Sequence, residues 1–310
     1  MTRVVTSYIN PDLDGIACMY AYSEFLNKTG IKSSYCIIGN AKEEVNIVCD
    51  IFNIKLNSKK TIDEEDEIVI VDNHDLNNFK NHDTNKIVEI IDHHTVYNGV
   101  TFPSHIKVQI DIIGAAATIV TERFIKENID ISKEAAILLY YGIISNSINL
   151  KSSVTDTRDI NACKWLESKY SEITKSKIKE IFIKKSQIED SNLRKVMEIE
   201  HTINLLGKNI NIGVLEIANV EEFIKSRTKQ IDSILNEVKN NYNTDIIFIN
   251  CIDILNGYNI ILCNDKNTEK FLNEFFKFNV QNGIYKTDKI ILRKELIRKL
   301  IKLDNEYQNR

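Results

Sequence analysis

The sequence lacks the features that mark membrane and secreted proteins. None of its apolar runs approaches the roughly 18 to 20 residues that are needed to cross a bilayer. The N-terminal stretch MTRVVTSYIN has no long apolar segment of the kind that signal peptides contain. These absences predict a cytoplasmic protein without a membrane partner.

The sequence also lacks paired cysteines. It contains six cysteines, but none of them form a C-x-x-C pair, and most lie in apolar segments. This distribution favours buried free thiols over disulfide bonds or a zinc site.

A basic excess, which nucleic-acid-binding proteins use to replace phosphate counterions, is missing as well. The chain has 40 basic and 44 acidic residues, which gives a net charge of −4. We therefore expect no nucleic-acid polymer as a partner. A local cluster of cations can nevertheless hold a small phosphate-containing ligand.

What the sequence does contain is typical of an α/β protein with two domains. Its 310 residues are 43% apolar and 27% charged, enough for two separate cores. The apolar runs EIVIVD (67–72) and KIVEIID (86–92) alternate with helical patterns, which predicts parallel strands buried on both faces. A charged stretch at about 187–204 reads as a connector. We predict domains at 1–188 and 195–310, the second smaller than the first.

Acidic and histidine residues follow several predicted strands. Asp12 and Asp14 follow the first strand, Asp72 ends the third, and the DHH triplet (92–94) ends the fourth. An aspartate at a strand end is more often a turn former or a helix cap than a ligand. Open α/β sheets, however, bind ligands outside the carboxyl ends of their strands, so this convergence predicts a metal site. Gly15 is expected to let the chain turn tightly into the next helix.

The predicted ligands are oxygen and nitrogen atoms without a thiolate. Such a set suits Mn²⁺ or Mg²⁺, and also Co²⁺ or Fe²⁺. A shared carboxylate can hold two ions about 3.5 to 4 Å apart, and such a pair can activate water for an in-line displacement at phosphorus. The pattern therefore indicates phosphoryl chemistry.

Five motifs carry a resemblance to a known family, and their order and spacing matter more than any one of them. They are NPDLDG (10–15), VDNHD (71–75), DHH (92–94), IGAAAT (113–118) and GIISNSINLKSS (142–153). Together they resemble the DHH phosphoesterase superfamily, in particular the family II, manganese-dependent inorganic pyrophosphatases. ILRKEL (291–296) is similar to the S-R-K-K-Q segment of the DHHA2 domain in those enzymes. The Gly-Gly-Gly-His motif of the DHHA1 phosphodiesterases is absent.

The resemblance implies a DHH domain and a DHHA2-like domain with the active-site cleft between them. Asp12 and Asp14 would bind different metal ions, Asp72 would bridge both ions, and His93 would be a further ligand. His94 would contact a substrate phosphate. Asp72 and His94 are thus the predicted catalytic residues.

The resemblance also implies cofactors and partners. The cofactor would be Mn²⁺, with Mg²⁺ or Co²⁺ as alternatives, as two ions or fewer. Arg293 and Lys294 would bind the substrate from the second domain, since an Arg fork and a Lys point charge suit a dianionic phosphoryl group. Relatives often form homodimers through edge strands of the first domain, so a homodimer is expected here too.

Three positions depart from the family's pattern. Tyr8 stands where pyrophosphatases carry a histidine ligand, and with a reference pKa of about 10 it is a poor ligand near pH 7. Asn146 stands where they carry an aspartate ligand. It can coordinate through its carbonyl oxygen but removes one negative charge. His201 aligns loosely with a family lysine and is the third candidate for substrate binding in the second domain.

The sequence predicts hydrolysis of a small phosphoanhydride, inorganic pyrophosphate or short polyphosphate, by a metal-activated hydroxide. One alternative is a catalytically weakened or inactive relative that binds phosphate or nucleotide, suggested by Tyr8, Asn146 and His201. Another is a phosphodiesterase that acts on a small nucleotide. The DHHA2-like segment argues against this second alternative.

Overall fold

The computed structural model describes residues 2–96 and 100–308, and the chain divides into two compact units, Met1–Ile181 and Phe182–Arg310. The outer ends of the predicted domains, residue 1 and residues 309–310, lie outside the described residues. Among the helices of the described residues, none is both long enough and apolar enough to cross a membrane.

The first unit alternates strands and helices and then ends in a run of helices. Its elements are β1 (Arg3–Thr6), α1 (Leu13–Lys28), β2 (Ser33–Cys36), α2 (Glu43–Phe52), β3 (Glu67–Val71), β4 (Ile87–Asp92), β5 (Lys107–Ile110), α3 (Ala116–Lys126), α4 (Lys133–Asn146), α5 (Thr157–Lys169) and α6 (Lys175–Lys185), the last of which continues into the second unit.

The five strands form one parallel sheet in the order β2-β1-β3-β4-β5. The side chains of β3 from Ile68 to Val71 are all buried, because a parallel sheet is covered by helices on both faces. The predicted fold class of this half is confirmed. All five carboxyl ends point to the same edge of the sheet, which brings the segments after β1, β3 and β4 together.

The prediction that Gly15 lets the chain turn tightly into the next helix is wrong. It lies inside α1 and makes no turn. A Cβ atom there would lie 3.0 Å from the Ser7 hydroxyl and 3.3 Å from an Asp72 carboxylate oxygen. Glycine is therefore suited to this position because β3 and β1 approach the helix closely, not because of its backbone freedom.

The second unit is a smaller α/β unit built on a mixed sheet. Its elements are α7 (Leu193–Val196), β6 (Thr202–Leu205), β7 (Lys208–Ile217), α8 (Val220–Asn241), β8 (Ile246–Asp253), β9 (Tyr258–Leu262), α9 (Lys266–Phe271), β10 (Ile284–Lys286) and α10 (Arg293–Gln308). The strand order is β10-β9-β8-β7-β6, in which only the β7–β8 pair is parallel.

Both faces of this mixed sheet are covered, and β8 shows the alternation directly. Ile247 and Ile249 pack on one face with apolar residues of α8, while Ile246 and Phe248 pack on the other with residues of α9 and α10. Successive side chains of a strand point to opposite faces, so a strand buried on both sides has no polar face. All eight residues of β8 are buried, as the apolar run DIIFINCIDIL (245–255) predicts.

Two strands of the mixed sheet lie where the sequence predicts none. β6 falls within the predicted connector at 187–204, and its hairpin with β7 turns at Leu206 and Gly207, both with positive φ. Hairpin turns with two positive φ values usually carry Asn-Gly or Gly-Gly, so Leu-Gly gives a weak signal. β10 has only three residues, too few for a periodicity to show.

Candidate metal centre

Asp72 is the buried carboxylate at the centre of the site. It follows β3 directly, with its backbone in the left-handed region at a φ of 55°, and its N–H donates to Ile91 O of β4. Only 2% of the residue is exposed, and its Oδ1 has no hydrogen-bond partner. Burial, together with the charges of Asp14 and Asp12, raises the pKa of Asp72 well above its usual value. A buried carboxylate with an unsatisfied oxygen fits a cation.

His93 faces this oxygen with the ring nitrogen that does not donate to the backbone. Its Nδ1 lies 2.9 Å from Ile113 O, to which it donates, so Nε2 carries the lone pair. That Nε2 lies 3.4 Å from Asp72 Oδ1, and the ring is buried. Metal-binding histidines characteristically donate their other ring N–H to a carbonyl or a carboxylate, which fixes the tautomer. The hydrogen bond to Ile113 O therefore orients His93 in the way that is characteristic of a metal-binding histidine.

His94 is oriented by Asp92, the last residue of β4. Its Nδ1 lies 2.8 Å from Asp92 Oδ1, while the second oxygen of Asp92 is hydrogen-bonded to His74. Burial by itself would raise the pKa of Asp92, but the bonds from His94 and His74 lower it to about 2. Desolvation by itself would lower the pKa of His94. The hydrogen bond to Asp92 and the charge of Asp72 outweigh this effect, so the pKa of His94 is raised. The net shift favours the protonated, positively charged form of the His94 imidazole.

Asp14 lies at the start of α1, and its carboxylate caps the N-terminus of α3. Ala115, the N-cap of α3, has no side chain that can cap a helix. The N–H groups of Ala116 and Ala117 donate instead to Asp14 Oδ2 at 2.9 Å and Oδ1 at 2.8 Å. A carboxylate satisfies the unpaired N–H groups of a first helical turn and complements the helix dipole. The IGAAAT motif (113–118) thus supplies small residues that let this approach occur.

Asp12 is the N-cap of α1. Its Oδ1 accepts the N–H groups of Asp14 at 3.0 Å and Gly15 at 3.2 Å. Tyr8 lies directly behind it, because the Asp12 N–H donates to Tyr8 Oη at 3.2 Å. Burial, followed by the charges of Asp12 and Asp72, raises the pKa of Tyr8 far above its usual value. Tyr8 is therefore a neutral group at this site.

Asn146, the last residue of α4, reaches into the same cluster through its amide. Its Nδ2 lies 3.0 Å from Asp14 Oδ2, 3.1 Å from His93 Nε2 and 3.2 Å from Gly114 O. All three neighbours are acceptors, so the amide nitrogen faces them as a donor. The arrangement ties α1, α3 and the DHH segment to the end of α4.

The donor set fits a divalent cation. Within residues 2–96 and 100–308, one group of three His, Cys, Asp or Glu side chains has ligand atoms all within 4.8 Å of one another, and it consists of Asp72, His93 and His94. Two of these side chains are buried and one is exposed. Carboxylate and imidazole without thiolate suit Mn²⁺ and related ions. Of the predicted site residues, the structure brings Asp12, Asp14, Asp72, His93, His94 and Asn146 together.

The predicted substrate-binding residues of the second unit lie around the start of α10. Arg293 Nη2 is 3.0 Å from Glu198 Oε2, an exposed ion pair. Lys294 is exposed, although partial desolvation of its ammonium group, followed by the charge of Arg298, lowers its pKa. His201 is exposed just before β6. Buried Asn250 and Asn259 both donate to Ile291 O, which fixes the segment that leads into Arg293 and Lys294.

Sequence reasoning missed two groups at the metal centre, although both lie in motifs that it singled out. Asp92 binds both His94 and His74, and the sequence signal for this role is the position of Asp92 at a strand end beside two histidines.

A third feature near the site, the backbone conformation after α4, leaves no sequence signal. Residues 148–150, which follow Asn146 closely, have φ values of 51°, 55° and 59°. Left-handed backbone costs roughly 1–2 kcal/mol per residue, and Ile148 is β-branched, so this turn is strained.

Known proteins resemble this chain over most of its length. Residues 3–143 match the DHH family, N-terminal domain. The manganese-dependent inorganic pyrophosphatase of Bacillus subtilis is 25% identical over 305 residues, which cover 95% of this chain and 96% of that protein. A Clostridium acetobutylicum protein with the same assignment is 26% identical over 301 residues, 94% of each chain.

Solved structures share the fold. A Methanococcus jannaschii protein described as a family II inorganic pyrophosphatase matches 98% of this chain and 100% of its own, with a TM-score of 0.70 at 22% identity. An exopolyphosphatase-related protein from Bacteroides fragilis matches 99% of this chain and 93% of its own, with a TM-score of 0.50 at 14% identity. Taken together, the comparisons show a chain whose residues 3–143 match the DHH family, N-terminal domain, and which is similar over most of its length to manganese-dependent inorganic pyrophosphatases.

Proposed function

We propose that this chain hydrolyses a small phosphoanhydride, with inorganic pyrophosphate as the first candidate and short polyphosphate as the second. The observation that carries the proposal is the unpartnered Asp72 Oδ1, buried 3.4 Å from the lone-pair nitrogen of His93. The names of the pyrophosphatases that resemble the chain support the choice of substrate.

Asp72 and His93 would hold a divalent cation, and Mn²⁺ suits their oxygen and nitrogen donors. When bound, the cation supplies Lewis-acid activation of water and neutralises phosphate charge. The chain's own contribution is to keep these two ligands rigid. The Asp72 backbone is tied to β4 and the His93 ring to Ile113 O, so neither side chain has to reorganise when the ion enters.

His94 would bind a phosphate oxygen of the substrate. Asp92 holds its Nδ1, which leaves the Nε2–H of the imidazolium to donate, and 51% of the side chain is exposed. The raised pKa of His94 favours the positively charged form, which suits an anionic substrate. His74 completes the chain His74–Asp92–His94 and acts as a positioning residue through Asp92.

Arg293, Lys294 and His201 are retained as proposed phosphate-binding residues. Lys294 has the strongest support of the three. It is exposed, and within the described part of the chain its ammonium group has no side-chain partner, so it is available to an anion. Arg293 is engaged with Glu198 and would have to exchange that exposed contact for phosphate. An exposed ion pair contributes only about 0–1 kcal/mol to stability, so exchanging it for a phosphate contact costs little free energy.

A substrate panel tests the proposal. Purified protein is incubated with Mn²⁺ and, in separate reactions, with pyrophosphate, tripolyphosphate and a dinucleotide, and the released phosphate or nucleotide is measured. We expect turnover of pyrophosphate or tripolyphosphate that is abolished by a chelator and restored by Mn²⁺. Turnover of the dinucleotide alone would favour the phosphodiesterase alternative. Binding of Mn²⁺ and phosphate without any turnover would favour a non-catalytic relative.

A further inference from the structure

Asp14, the second aspartate of the NPDLDG motif (10–15), is satisfied by hydrogen bonds within the chain. An ionised carboxylate has about four lone-pair sites. At Asp14, Oδ1 accepts from Ala117 N and from the Cys18 thiol at 3.6 Å, and Oδ2 accepts from Ala116 N and Asn146 Nδ2. All four sites of Asp14 are therefore in use, whereas Asp72 Oδ1 has no hydrogen-bond partner.

The Asn146 amide fills the space that lies between the acceptors. Asp14 Oδ2 and His93 Nε2 are 3.7 Å apart, and Asn146 Nδ2 lies about equally far from both. Two acceptors at this separation need either a proton donor or a cation between them. The amide supplies the donor, so no ion is required there.

The number of hydrogens on this amide permits an ion on His93. Asn146 Nδ2 has two hydrogens but three acceptor neighbours, namely Asp14, His93 and Gly114 O. If the His93 lone pair turns to a metal ion, both hydrogens keep a partner. A cation shared by Asp72 and His93 is therefore compatible with Asn146, whereas a cation on Asp14 would have to displace at least one of four donors.

Tyr8 has a comparable role at Asp12. The Tyr8 hydroxyl receives the Asp12 N–H and faces the Asp12 carboxylate, and Asp12 Oδ1 caps the first turn of α1. Each of the two altered positions thus places a neutral hydrogen-bonding group beside one aspartate of the pair.

We infer that this chain binds one divalent cation, on Asp72 and His93, and that Asp14 acts as the cap of α3 instead of as a ligand to a second ion. The inference rests on the metal site of the proposed function. It concerns the number of ions and the role of Asn146, so it can fail while the hydrolytic activity stands.

The experiment counts Mn²⁺ ions on the folded full-length protein. Wild type is equilibrated with Mn²⁺, the bound ion is quantified by elemental analysis after dialysis, and the EPR spectrum is recorded. We expect one Mn²⁺ per chain with the hyperfine pattern of an isolated ion. Two ions per chain, or a spectrum of magnetically interacting ions, would overturn the inference even if pyrophosphate is hydrolysed. No bound Mn²⁺ would also overturn it.

Two substitutions at one position separate the roles of Asn146. Asn146→Asp replaces the donor by an acceptor among three other acceptors, and we expect a second Mn²⁺ and an interacting-ion spectrum. Asn146→Ala removes donor and acceptor together but leaves the backbone bonds to Asp14, and a water molecule can take the place of the amide as the donor, so one ion should stay with a Kd within roughly threefold of wild type. Asn128→Asp, which adds the same charge at an exposed helix end, is the matched control and should leave the count at one.

These variants also give clear contrary results. Circular dichroism first establishes that each variant is folded. A folded Asn146→Asp variant that still binds a single ion would contradict the role of the amide. A more than tenfold loss of Mn²⁺ affinity in Asn146→Ala would show that the Asn146 carbonyl is itself a ligand, and would overturn the inference as well. One ion without hydrolysis by the wild type would leave the inference intact and remove the proposed function.

Discussion

At the scale of the single residue, the metal centre depends on which nitrogen of His93 carries the proton. Because Ile113 O fixes Nδ1 as the donor, Nε2 is available to an ion. We predict that His93→Phe, which keeps a ring but removes the lone pair, weakens Mn²⁺ binding by more than roughly 100-fold, since the loss of even an outer-shell partner costs 10–100-fold. Isothermal titration calorimetry measures this effect.

A second histidine provides the control for that prediction. His105 is exposed, and its nearest hydrogen-bond partner is Thr84 O at 3.4 Å. His105→Phe should therefore leave the Kd for Mn²⁺ unchanged. Equal affinities of wild type and His93→Phe would remove His93 from the ligand set.

A buried ion pair away from the site allows a stability prediction. Glu89 is 4% exposed, and its carboxylate accepts from Arg123 Nη1 and from Tyr22 Oη, both at 2.7 Å. Lys107 reaches the same carboxylate at 2.9 Å, but 70% of its side chain is exposed. We predict that Arg123→Met lowers the free energy of unfolding by about 3–5 kcal/mol, because it leaves a buried charge without its main partner.

Lys107→Met is the matched control and should cost less than about 1 kcal/mol, the usual value of an exposed ion pair. Urea unfolding of both variants at pH 7 makes the comparison. Equal losses would mean that the buried position of Arg123 contributes nothing beyond its charge.

The same carboxylate predicts a pH dependence. Burial by itself would raise the pKa of Glu89, but Arg123, Tyr22 and Lys107 together lower it below its usual value of 4.5. A carboxylate with a lowered pKa in the folded state stabilises the protein fully above its unfolded pKa and loses that contribution as the pH falls through the folded value. The difference in unfolding free energy between wild type and Glu89→Gln should therefore shrink below about pH 4. A pH-independent difference would contradict this account.

At the scale of secondary-structure elements, the helices around the site are held by carboxylates at their N-termini. Asp159, in the first turn of α5, is fully buried and accepts from Gly114 N at 2.9 Å, Thr118 Oγ1 at 2.5 Å and Asp156 N at 2.7 Å. It therefore joins α5 to the segment that begins α3. A Cβ atom on Gly114 would lie 2.6 Å from this carboxylate, so only glycine fits there.

We predict that Asp159→Asn lowers the free energy of unfolding by about 1–3 kcal/mol, because one of its accepting oxygens becomes a donor that faces other donors. Asp156→Asn is the control at the same helix end. Asp156 is the exposed N-cap, and Asn caps as well as Asp does, so its cost should be near zero. Thermal unfolding distinguishes the two, and an equal effect of both substitutions would contradict the buried network.

The elements also show what could be predicted from the sequence. The run EIVIVD predicts a buried strand, and Ser132, a typical N-cap residue, predicts the start of a helix; both predictions are confirmed by β3 and α4, because continuous burial and side-chain capping are local features that leave direct sequence patterns. Asn40 is also a typical N-cap residue and predicts a helix from about residue 41, but this prediction is wrong, because α2 begins at Glu43 after Lys42 and the Asn40 N–H instead pairs with Asn10 Oδ1. Tertiary contacts of this kind leave no pattern in the sequence.

At the scale of the whole molecule, the chain consists of two compact units, each with a covered sheet. The proposed ligands Asp72 and His93 are 21 residues apart in the sequence of the first unit, so an ion on them would link the ends of β3 and β4. We predict that Mn²⁺ raises the melting temperature of the wild type, by linkage of about 2.7 kcal/mol when Mn²⁺ is at 100 times its Kd. The Asp72→Asn variant should show no such shift, and an equal shift in both would place the ion elsewhere.

The sequence predicts which residues form the candidate site but not the hydrogen bonds that they make with one another. The ends of β1, β3 and β4 identify Asp12, Asp14, Asp72 and His93, because parallel strands deliver their carboxyl ends to one edge. The sequence could not show that Asp14 caps α3 or that Asn146 donates to it. Those bonds depend on the packing of α1, α3 and α4, which is set by contacts between residues more than 100 positions apart.

The central claim is that a cation site on Asp72 and His93 supports hydrolysis of pyrophosphate. The most direct measurement is kcat/KM for phosphate release from pyrophosphate with saturating Mn²⁺, in wild type, Asp72→Asn and Asp75→Asn. Asp75 is exposed in the same loop and caps a short turn that Asn caps equally well, so it is the matched control. We predict wild-type activity, no change in Asp75→Asn, and a loss of roughly 10³-fold in Asp72→Asn, about 4 kcal/mol of activation free energy. Equal activity of wild type and Asp72→Asn would contradict the account.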